Sequence, residues 1–116
     1  MFTIEELIGE VRRLTKENPD YIYNAPEHDG CSYISSKDDP HKGCIFGQAM
    51  LNLDPDLHDT LDKFDTYGIP YILRDVLNVS GTDRQYDWCA MFQRKQDTGH
   101  MWGEALAYVN SIFVKS

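Results

Sequence analysis

Apolar side chains return every three to four residues through most of this chain, the period of a helix buried along one side. The first stretch is the cleanest. Ile4, Leu7, Ile8, Val11 and Leu14 fall on one stripe across residues 3–17. Thr3 and Glu6 stand three apart at its start, where each side chain can take a backbone N–H that the first turn leaves without a partner. Phe2 precedes them, placed to staple onto Leu7. Asn18-Pro19 ends the element, because the residue before a proline avoids helical backbone angles.

Helical spacing resumes over about residues 43–52 with Ile45, Phe46, Ala49 and Met50, then Leu53. Asp54-Pro55 opens the next helix, with aspartate as cap and proline in the first position. Its stripe is Leu57, Leu61 and Phe64, and Tyr67-Gly68 interrupts it. Pro70 begins a helix carrying Ile69, Ile72, Leu73, Val76 and Leu77, which Ser80-Gly81 ends. Thr82 and Gln85 repeat the capping pattern and open a helix to about residue 96, with Trp88, Cys89 and Phe92 inward. After a corner at Asp97-Thr98-Gly99, the last stripe runs through Met101, Trp102, Ala105, Leu106, Val109, Ile112 and Phe113.

Residues 19–42 break the period. Two β-like runs, Tyr21-Ile22-Tyr23 and Cys31-Ser32-Tyr33-Ile34, can pair as a small hairpin. Strands and helices do not alternate, which argues against a parallel α/β sheet. The pattern therefore predicts a mainly α fold: a single globular domain over residues 1–116, a compact bundle of about six short helices with a small β-hairpin after the first.

Length and composition change this picture little. The chain has 116 residues, 41% of them hydrophobic, enough for one modest core. The opening MFTIEELIGEVRR holds no apolar run of signal-peptide length, and nothing approaches a membrane span. Charge matters more. The net charge is −8, and residues 18–65 carry ten acids against three lysines. Such a field repels nucleic acid and favours a basic protein partner. Asp56, Asp59 and Asp62 lie off the apolar stripe of their helix, which makes them the candidate partner-binding surface.

Three cysteines, Cys31, Cys44 and Cys89, make an odd number without a secretion signal, which points to a reducing, cytoplasmic setting. His28, Cys31, His41 and Cys44 offer the ligand types of a structural zinc site, as two His-x-x-Cys pairs. Against zinc, enough apolar residues lie elsewhere to fold the chain without metal, so packing is the favoured reading and no cofactor is expected. A Cys31–Cys44 disulfide fits the spacing but not the reducing setting. Cys44 follows Gly43 at a helix start, where backbone N–H groups favour a thiolate. With His100 as base and Asp97 as its orienter, it is a candidate nucleophile. No papain-type signature surrounds it, so an enzyme is the lesser reading.

The corner at Gln93, Gln96, Asp97, Gly99, Trp102 and Glu104 admits two readings. In the mechanical one, Asp97 caps the final helix, Gly99 takes a positive φ and Trp102 plugs the turn. In the other, Tyr33, Gln48, Gln96, Asp97 and Trp102 line a pocket for a flat, hydrogen-bonding ligand such as a nucleobase. No glycine-rich phosphate loop accompanies them. Gly47 and Gly103 fall inside helices, where close packing of a neighbour is the expected reason.

Three segments together carry a resemblance. They are Cys31-x-Tyr33, then Gly43-Cys44-Ile45-Phe46-Gly47-Gln48-Ala49, then Gln93-x-x-Gln96-Asp97-x-Gly99-x-x-Trp102-Gly103-Glu104-Ala105. This pattern resembles small proteins of actinobacteria and their phages, over roughly residues 31–107. The resemblance implies a small intracellular accessory protein that binds a host protein and modulates or inhibits a host or defence factor. It brings no catalytic mechanism. The reading at this level is a phage-related acidic binding protein, with a nucleotide-like binding module and a cysteine-dependent enzyme as alternatives.

Overall fold

In the computed structural model, residues 2–23, 33, 43–64 and 67–113 are described. Helix α1 (Ile4–Glu17) begins where the sequence places it. Thr3 Oγ1 accepts the Glu6 N–H at 3.1 Å, and Glu6 Oε1 accepts the Thr3 N–H at 2.9 Å. Phe2 and Leu7 are both buried, as the staple requires. Such a cap contributes about 1 kcal/mol.

Helix α2 (Ile45–Leu53) follows, with Cys44 at its N-cap position. Asp54 caps a short 3-10 turn, Pro55–Leu57, by accepting the Asp56 N–H at 3.2 Å. That turn runs into α3 (His58–Lys63). Helix α4 is a single turn, Ile69–Tyr71. It widens at once into a π-helical stretch, Ile72–Val76, in which Leu77 N–H reaches Ile72 O at 2.9 Å. The sequence places the end of this element at Ser80-Gly81, but it stops earlier. Asn78 adopts φ 56°, a left-handed angle asparagine tolerates, and Val79 N–H turns back to Leu73 O at 2.7 Å.

Helix α5 (Asp83–Asp97) carries the second capping box, Thr82 with Gln85. Gly99, at φ 91°, turns the chain into α6 (Trp102–Phe113). Among the described residues no hydrogen bond from the start of α6 reaches Asp97, the expected cap; Glu104 Oε1 takes the Met101 N–H instead, at 3.1 Å. The main packings are α1 on α2, α5 on α6, α4 on α5 and α1 on α6. Together they bury one core that includes Leu7, Val11, Phe46, Leu61, Phe92 and Val109.

Both predicted close approaches occur. A methyl group on Gly47 would overlap the Tyr33 backbone. On Gly103 it would lie 2.9 Å from Pro19 O, which already accepts the Gly103 N–H at 2.8 Å. The segment after α1 thus lies along the start of α6. Ile22 and Met101 form an isolated antiparallel bridge there, and the Tyr21 and Trp102 rings approach to 4.5 Å. That bridge is the only β pairing among the described residues; the second half of the expected hairpin, apart from Tyr33, lies outside them. No helix among the described residues is long and apolar enough to cross a membrane.

Candidate functional site

Helix α5 presents two glutamines one turn apart on its buried face, Gln93 and Gln96. Neither α2 nor α4 has a side-chain cap of its own, since Cys44 and Gly68 hold their N-cap positions. The glutamines supply what is missing. Gln96 Oε1 accepts the N–H of Ile45, the first residue of α2, at 2.7 Å. Gln93 Oε1 accepts the N–H of Ile69, the first residue of α4, at 2.9 Å. Each satisfies a buried donor that would otherwise be left without a partner.

The rest of the network closes around them. Trp102 Nε1–H donates to Gln96 Oε1 at 3.1 Å, and Gln96 Nε2–H to Asp97 Oδ1 at 3.2 Å. Gln93 Nε2–H donates to the Tyr33 hydroxyl at 3.0 Å, and that hydroxyl donates to Tyr67 O. Gln48 Nε2–H donates to Gly43 O at 2.8 Å. The structure thus joins Gln96, Asp97 and Trp102 in one hydrogen-bonded group that reaches the start of α2, where Gln48 also lies, and Tyr33 and Gln93 in a second group that reaches the start of α4. Trp102 is 1% exposed and Gln96 fully buried. The Tyr33 hydroxyl, the Gln96 amide and the Trp102 indole N–H, which would read a nucleobase, are engaged within the protein.

Asp97 is half-buried, and burial lifts its carboxyl to about 6. His100 Nδ1 lies 3.2 Å from Lys95 O and 3.3 Å from Thr98 Oγ1. Among the described residues no hydrogen bond or ion pair joins His100 to Asp97, so the orienting role expected of Asp97 is not realised. The candidate nucleophile is corrected as well: Cys44 is disulfide-bonded, not a thiol, and it is fully buried. That finding also overturns the objection to a disulfide drawn from a reducing setting, and it removes Cys44 from the candidate zinc quartet. His28, Cys31 and His41 lie outside the described residues. No group of three metal-binding side chains occurs among the described residues. Among the described residues Cys89 is the free cysteine; burial pushes its thiol up to about 12, which makes it inert.

The candidate acidic surface is open to solvent. Asp56, Asp59 and Asp62 are all exposed on the 3-10 turn and α3. His58 Nδ1 lies 3.5 Å from Asp59 Oδ1; no ion pair reaches Asp56 or Asp62 among the described residues.

A further feature was not anticipated from the sequence. Between α1, the start of α5 and the end of α6 lies a cleft of about 540 Å³. From α1 it is lined by Ile8, Gly9 and Arg12, and from α5 by Arg84 and Trp88, with Phe113 closing the α6 side. The Arg12 guanidinium sits 5.6 Å from the centre of the Trp88 ring, and Arg84 5.5 Å from that of Phe113. Gly9 was the available signal. It interrupts α1, yet a methyl group there meets nothing within 4 Å, so packing does not explain it. No protein-family model, curated protein or solved structure matches this chain.

Proposed function

We propose that this chain is a binding protein that engages a basic protein partner through the acidic face formed by Asp56, Asp59 and Asp62. The observation that carries the reading is their exposure. Three carboxylates stand exposed within seven residues, two of them with no cation among the described residues, while the corner that could hold a nucleobase has its Gln96 amide and Trp102 indole N–H engaged internally. Exposed like charges held together cost stability and draw an oppositely charged surface at long range. The engaged Cys44 and the separation of His100 from Asp97 leave the enzyme alternative without a nucleophile–base pair. The resemblance to proteins of actinobacteria and their phages supplies the setting, in which the partner is a host or defence factor that this chain modulates.

The test is co-purification from an actinobacterial host at low and high salt, followed by affinity measurement on the captured partner. Binding is expected to weaken steeply with salt, and to be lost when Asp56, Asp59 and Asp62 all become Asn. Affinity that ignores salt, or that survives the triple substitution, contradicts the reading.

A further inference from the structure

We infer that the cleft between α1, α5 and α6 is a binding site for a small amphipathic organic anion: an apolar, preferably flat body carrying one carboxylate. This site is separate from the acidic face and uses none of its residues.

Charge is the first argument. The chain has 19 acids and 11 basic residues, so a free arginine has carboxylates in excess to pair with. Arg13 does so, holding both Glu10 and Glu17. Arg12 and Arg84 do not: neither has an ion pair among the described residues, and each guanidinium rests on an aromatic ring of the cleft instead. A guanidinium laid over an aromatic face keeps its N–H groups free at the plane edge to bind a carboxylate in a two-pronged manner. The first turn of α5, from Thr82 to Gln85, borders the same cleft and adds the positive end of a 15-residue helix. One carboxylate, Glu5, also lines it, but Gln85 Nε2–H donates to that group at 3.2 Å and holds it.

The second argument is independent of charge. Trp88, which lines the cleft, is only 4% exposed, and its indole N–H has no acceptor among the described residues. A buried N–H without an acceptor is costly and rare. Elsewhere the molecule provides for such groups: the Trp102 indole N–H has Gln96. The ring that carries this N–H lines the cleft, where a bound carboxylate would supply the missing acceptor.

The third argument is shape. About 540 Å³ is the size of a small-molecule site. Ile8, Trp88 and Phe113 give it apolar walls, and Gly9 keeps α1 bare where a side chain would enter the space.

The probe is 2-naphthoate, matched against the neutral 2-naphthalenemethanol, with binding followed by isothermal titration on the full chain. Naphthoate is expected to bind at least about tenfold tighter than the alcohol. Arg12→Gln and Arg84→Gln should each weaken it by about tenfold and leave the alcohol unchanged. Gly9→Leu should abolish binding of both probes without lowering Tm, which separates a filled cleft from a damaged fold. Equal affinity for the two probes, no binding of naphthoate at millimolar concentration, or undiminished binding by Gly9→Leu would overturn the assignment.

Discussion

Two regions of this protein hold the same kinds of residue and use them in opposite ways. At the α5–α6 corner, two glutamines, a tyrosine and a tryptophan look like a ligand pocket, and their polar atoms are bound to one another and to the starts of α2 and α4. In the α1–α5–α6 cleft, among the described residues, two arginines lack acids and a tryptophan N–H lacks an acceptor. The lesson is physical. A polar side chain marks a site through the hydrogen bonds it has left to make, not through its chemical type.

The sharpest way to break this contrast is to remove the corner's acceptor. Gln96→Leu leaves two buried donors, the Ile45 N–H and the Trp102 indole, without a partner. The expected cost is about 2–5 kcal/mol, read from urea unfolding. A loss near zero would mean the corner does not hold α2 and its polar groups are open to a ligand.

Asp97 gives the next largest effect, and a pH dependence with a definite sign. Burial raises its carboxyl to about 6 from 3.8, so the folded state holds this proton more tightly than the unfolded chain does. Its contribution is fully present below pH 4 and is lost as pH rises through about 6. Asp97→Asn keeps an acceptor for Gln96 and removes the penalty. The variant should melt higher than the parent at pH 7.5, with the gain shrinking toward pH 5. A pH-independent difference would place Asp97 in water.

The smallest effect sharpens the other side of the comparison. Gly9→Ala adds a methyl group that meets nothing, within a helix where glycine costs about 1 kcal/mol relative to alanine. A stabilisation of about that size is expected. The same change at Gly47, against the Tyr33 backbone, should destabilise instead.

What the sequence makes legible follows from distance along the chain. Both capping boxes are visible in it because their partners stand three residues apart. The helical stripes of α1, α5 and α6 are visible for the same reason. The roles of Gln96 and Gln93 are hidden, because their backbone partners lie 51 and 24 residues away. The π-helical stretch after α4 is hidden too: Ile69, Ile72, Leu73 and Leu77 fit an α period equally well, and Asn78 decides the ending. The three helical glycines look alike as letters. Only the packed structure separates Gly47 and Gly103, each pressed on backbone, from Gly9, which faces open space. The cleft needed residues 5–12, 82–88 and 113 brought together, and no local spacing announces that.

The two tryptophan indoles let one measurement compare the regions directly. In ¹H–¹⁵N spectra of the full chain titrated with 2-naphthoate, the Trp88 indole N–H should shift saturably while that of Trp102 stays in place. A Trp102 indole that moves while Trp88 does not would contradict the account.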